Sequence, residues 1–133
     1  MDDIKLNDIE VASPSVVRTA ARDFAAALAE TPQFKAFEQA YEVLNKDDAA
    51  HQALSVYQAK AKSLRAMLML NAVSEVERAE LERLQNDYVT RPTVQAYASA
   101  EAELTVLCQQ AAGMISESIG LNYAASCGAS CCG

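Results

Sequence analysis

Tryptophan is absent from the 133-residue sequence, which holds only three phenylalanines and five tyrosines. With so few large rings, a monomeric core must be thin, and association with another helical surface is the natural expectation. Glycine and proline are also scarce, at four and three, and neither occurs from residue 33 to residue 91. Nothing in that stretch forbids helix on backbone grounds. No apolar run approaches the roughly 20 residues that cross a bilayer, and the chain starts on acidic Met1-Asp2-Asp3 rather than on a basic region and apolar core. A cytoplasmic protein that does not engage a membrane is expected. Positive charge is in deficit too, with a net charge of −7, which argues against a surface that engages nucleic acid through clustered Lys and Arg. The one basic cluster, Lys60, Lys62 and Arg65, reads as a solvated helix face. Phosphate-cradling glycine loops, nucleophile elbows and dinucleotide fingerprints are all missing, so no enzyme is expected.

The residues that are present spell helix. Hydrophobic residues make up 51% of the chain, much of that share alanine, and the length suits one domain. Asp47 to Ala72 is the organising stretch, with Ala50, Leu54, Tyr57, Ala61, Leu64 and Leu68 recurring on one side at three- and four-residue steps. Before it, Ser13-Pro14 opens a first helix to about Glu30, with Ser13 as cap and Val17, Ala20, Ala21, Phe24 and Leu28 inward. Thr31-Pro32 opens a second, whose Phe34, Phe37, Tyr41 and Leu44 form an aromatic edge that calls for packing. Ser74-Glu75-Val76-Glu77 matches a capping box and starts a fourth helix with Leu81, Leu84 and Tyr88 inward. Arg91-Pro92 begins a fifth, reaching about Gly120 along Val94, Tyr97, Leu104, Leu107, Cys108, Ala111, Ile115 and Ile119. Gly113 inside it costs about 1 kcal/mol relative to alanine, which implies a close approach of another backbone. The expected fold is all-α, an elongated arrangement of about five helices. Its parts are an acidic arm (1–12), a helical domain (13–122) and a Cys-rich tail (123–133).

Chemistry-bearing residues are few. Glu75, Glu77, Glu80 and Glu82 complement the positive end of the fourth helix and lack a supporting ligand for metal or acid–base work. His51 has no partner at triad or zinc spacing. The tail differs, since Cys127, Cys131 and Cys132 crowd its last seven residues, separated by small residues. In a reducing compartment such thiols serve metal or redox chemistry rather than structural disulfides. Thiolates hold iron–sulfur clusters, normally four at a time, and also suit zinc or cuprous ion. Three thiols leave such a site one donor short. Cys108 is a candidate fourth, although the tail must then double back roughly 20 Å along the helix, and its place on the apolar stripe reads more simply as a small core residue. A donor from another subunit, a partner protein or a small thiol is the less strained expectation.

The chain resembles the YlbF/YmcA family of bacterial helical regulators. The resemblance rests on Thr31-Pro32-Gln33-Phe34-Lys35-Ala36-Phe37 and on Asn45-Lys46-Asp47 before a long helix. It rests equally on Arg91-Pro92-Thr93-Val94-Gln95-Ala96-Tyr97 followed by Ala100-Glu101-Ala102-Glu103-Leu104. It spans residues 13–122 and implies an all-α antiparallel bundle that forms homo- or hetero-oligomers without catalysis of its own. Some members join other regulatory proteins in a complex that influences competence, sporulation, biofilm formation and mRNA processing through ribonuclease Y. In those members C-terminal cysteines help to hold iron–sulfur clusters, and Cys127, Cys131 and Cys132 occupy the comparable region. Two functions follow as expectations: a regulatory adaptor with a cluster-bearing tail, or a helical oligomeric scaffold whose tail binds zinc or copper or cycles its thiols.

Overall fold

The computed structural model describes residues 13–123, and every regular element among them is a helix. The acidic arm and residues 124–133 lie outside the described residues. Five helices follow one another, α1 (Pro14–Ala29), α2 (Pro32–Asn45), α3 (Asp48–Met69), α4 (Glu75–Val89) and α5 (Pro92–Ile119). Their starts follow the sequence punctuation closely. Prolines open α1, α2 and α5, where the missing amide is no loss. Thr31 Oγ1 accepts from the Phe34 amide at 3.2 Å, and Ser74 Oγ accepts from the Glu77 amide at 3.2 Å. The return half of the capping box takes a different form, because the Ser74 hydroxyl donates to Glu77 Oε2 at 3.2 Å. Ser13 does not cap α1 with its side chain; its hydroxyl pairs with that of Ser15 at 2.9 Å.

The central helix stops three residues short of Ala72. Asn71 takes φ 52°, and the Ala72 amide reaches back to the Met67 carbonyl at 2.8 Å while Asn71 bonds Leu68 at 3.2 Å. That pair of bonds is the left-handed termination usually written with glycine. Arg78 donates to the Asn71 side chain at 3.2 Å, and Val73 is buried beneath the turn. Beyond the turn the chain doubles back: α4 packs along α3 and α5 along α2. Partners rise on one arm as they fall on the other. Lys60 pairs with Glu80 at 3.3 Å, Asp47 with Thr93, and the rings of Tyr41 and Phe37 with Tyr97.

The core is as thin as the composition implies. Among the described residues only Ala50, Leu64, Val73, Val94 and Ala100 are buried hydrophobics. The expected inner face of α1 is largely uncovered, since the helix buries no residue and leaves Val17 at 58% and Phe24 at 49% exposure. Tyr41 and Ile119, expected inward, are exposed as well. Gly113 also departs from expectation, because a Cβ built there meets nothing within 4 Å. Among the described residues no backbone outside α5 comes within 4 Å of that position.

Candidate functional site

Two places gather residues from different helices. The first is where both arms break side by side. Asp47 ends the α2–α3 turn, and its Oδ1 accepts from the Ala50 amide at 3.0 Å, capping α3. Its Oδ2 accepts from the Thr93 hydroxyl at 2.6 Å, on the first turn of α5. One carboxylate thus starts a helix and ties it to the opposite arm. The Thr93 hydroxyl holds the Asp47 carboxyl below its usual range, the Ala50 amide adds to this, and the Arg91 charge assists. One turn along α5, the Tyr97 ring lies 5.4 Å from Phe37 and 6.4 Å from Tyr41. Burial pushes the Tyr97 phenol up, with Glu101 and Tyr41 adding to it. Shallow clefts flank the junction. One is floored by Ala36, Ala40, Ala96 and Ala100, and the other by Ala49 and Ala53 facing Leu84 and Thr90. Small side chains let a further helix come close.

The second place is a groove of about 420 Å³ between α1 and the second half of α5. Val17, Ala20, Ala21 and Phe24 form one wall, and Cys108, Ala111, Ala112 and Ile115 the other. Cys108 is half-buried with a free thiol. α5 ends at Gly120, whose φ of 72° is the left-handed conformation that glycine adopts without strain. The chain then reverses. The Tyr123 amide donates to Ser116 Oγ at 3.1 Å, the Ser116 hydroxyl donates to the Ala112 carbonyl at 2.8 Å, and Tyr123 lines the same groove as Cys108.

Of the residues singled out in the sequence, Cys127, Cys131 and Cys132 lie outside the described residues. Cys108 is placed in the groove rather than in a closed core. Among the described residues no group of three or more His, Cys, Asp or Glu comes together to hold a metal, so those residues by themselves do not fit an iron–sulfur or zinc centre. Glu77 is engaged by Ser74, Glu80 by Lys60, and His51 Nε2 lies 3.1 Å from the Asn45 carbonyl. The Asp47–Thr93 tie escaped the sequence reading. A signal for it exists, since the two residues stand the same number of positions to either side of Leu70, beside the turn that joins the arms.

Among the described residues no helix is long and apolar enough to cross a membrane. A family model described as control of competence regulator ComK, YlbF/YmcA, matches residues 17–120. No curated protein matches the chain, and no solved structure does. The chain belongs to the YlbF/YmcA family.

Proposed function

We propose that this family member is a non-enzymatic regulatory adaptor that works by helix-to-helix assembly, with further copies of itself and with other regulatory proteins. Its architecture in that role is an elongated antiparallel bundle. Competence is the process the family description carries; sporulation, biofilm formation and ribonuclease Y-dependent mRNA processing belong to the same proposal. One observation supports it most. Large apolar side chains stand exposed along the helices, among them Val106 at 52% and Met114 at 69%, while five hydrophobic residues make up the buried core of the described chain. Surface of that kind marks an interaction face.

The tail belongs to the proposal as a thiolate element. Cys127, Cys131 and Cys132 hold an iron–sulfur cluster, with the remaining donor supplied from outside the tail, by a partner chain on the sequence reading. Zinc or copper on the same thiols is the second reading, favoured only by their softness as ligands.

Oxygen-free purification followed by light scattering and by iron and sulfide analysis tests both parts. An assembly larger than one chain, with iron and sulfide lost when the three tail cysteines become serine, is the expected result. A monomer that takes up no regulatory partner and carries no metal overturns it. Zinc in place of iron selects the second reading.

A further inference from the structure

Beyond that reading, we propose that the groove between α1 and the second half of α5 is the seat of this chain's own residues 124–133. They lie along it and bring a tail thiol, Cys127 first, against Cys108.

The direction of the chain argues for this. Gly120 turns it back on itself, and Tyr123, held by Ser116, already lines the groove. The sequence-based objection to Cys108 was the distance the tail must retrace, and the reversal removes much of it. From the level of Ser116 to that of Cys108 is two turns of α5, about 12 Å. Cys127 lies four residues beyond Tyr123, and four extended residues span up to about 14 Å. Tyr123 itself is helical, so this reach belongs to a tail that extends beyond it. Cys127 is then the first tail thiol able to reach Cys108, and Cys131 and Cys132 have chain to spare.

The chemistry of the groove agrees with that occupant. Among the described residues its walls carry no charged side chain, and Ala20, Ala21, Ala111 and Ala112 leave room for a thin strand of polypeptide. Residues 124–133 carry no Asp, Glu, Lys or Arg side chain either, and between the cysteines they are only Ala, Ser and Gly. The rival segment of the same chain, residues 1–12, brings Asp2, Asp3, Lys5, Asp8 and Glu10, and would have to desolvate some of them against apolar walls. With the tail seated, Cys108, Cys127, Cys131 and Cys132 are four thiols of one chain. The placement stands whether or not those thiols carry iron.

The native full-length chain supplies the test. Reduced, metal-free and dilute, it is exposed to oxidised glutathione. One protein thiolate attacks that disulfide and releases a glutathione thiol; a second protein thiolate then attacks the mixed disulfide, releases the other, and leaves one protein disulfide. Peptide mapping identifies the pair, and the same oxidation in denaturant gives the reference, where thiols close in sequence pair most readily. We expect a Cys108–Cys127 link in species of monomer mass, enriched at least about fivefold over the denatured chain. An intrachain link from Cys108 to Cys131 or Cys132, similarly enriched, also bears out the seat. Cys108 left free while the tail pairs within itself overturns it. So does a Cys108 link formed only between copies, which assigns the groove to a second chain. Because no metal enters this experiment, its failure is distinct from a failure to find iron.

Discussion

The middle of the molecule and its α1 end are built from the same materials, alanine-rich helices with an aliphatic or aromatic side chain every three or four residues. They differ in what covers those side chains. From the α2–α3 and α4–α5 breaks to the α3–α4 turn the two arms cover each other, and among the described residues all five buried hydrophobics belong to α3, the turn after it, or the first third of α5. A carboxylate–hydroxyl tie of 46 residues' separation fixes their alignment. At the other end α1 faces the second half of α5 across the groove and buries no residue, with Val16 and Val17 at 58% exposure. Periodicity thus sets which way a face points, and only the meeting of two elements decides whether it is covered. The middle is held by contacts within the chain, and the α1 end is left for something else to complete.

The sharpest way to break that comparison is to hollow out each region in turn. Leu64 is 3% exposed, so Leu64→Ala removes buried methyl groups and leaves a cavity, at a cost of about 2–5 kcal/mol. Phe24, 49% exposed, has only about half its burial to lose and leaves no enclosed cavity, so Phe24→Ala costs about 1 kcal/mol in the isolated chain. Urea midpoints of the two variants measure the difference. Equal losses would mean that α1 belongs to the same cooperative core as α3, and the distinction would fall.

The sequence made the helix starts legible because three prolines and the hydroxyls of Thr31 and Ser74 are local signals, complete within four residues. The end of α3 was read three residues late because asparagine, not glycine, takes the left-handed position there. The inner stripe of α1 was legible as a stripe and not as an exposed one, since coverage depends on α5, more than 70 residues away. The same holds for the Asp47–Thr93 tie. Asp47 is readable as a cap from its own neighbours, whereas its second oxygen is committed to a residue on the other arm. For Cys108, apolar periodicity pointed to a small core residue. The reversal after Gly120 and the gap beside α1 make it a groove residue instead.

Alignment of the arms is the next thing to disturb. Thr93→Val keeps the shape and removes the hydroxyl that donates to Asp47, so it lowers the urea midpoint by less than Leu64→Ala does. The effect depends on pH in a defined direction. The folded-state carboxyl of Asp47 is held below its ordinary 3.8, so its contribution to stability is complete above that value and is lost as pH falls through the lower, folded one. The gap between the native chain and Thr93→Val is therefore widest near neutrality and narrows under strong acid. A gap that does not change with pH would mean that the tie acts through packing alone.

The smallest effect separates the two regions most cleanly, because it changes sign with what sits on α5. Gly113 is a helix-interior glycine with open space where a Cβ would point, so in the isolated chain Gly113→Ala should raise stability by up to about 1 kcal/mol through backbone entropy. In an assembly where a neighbouring helix uses that bare backbone for close approach, the added methyl group must be accommodated, and association weakens. Urea unfolding of the dilute chain and light scattering of the concentrated one read the two effects separately. Stabilisation with unchanged association would remove Gly113 from any interface and move the uncovered surface toward the groove and Phe24. Stabilisation with weakened association would place a second backbone against α5 at the residue where this chain leaves room for one.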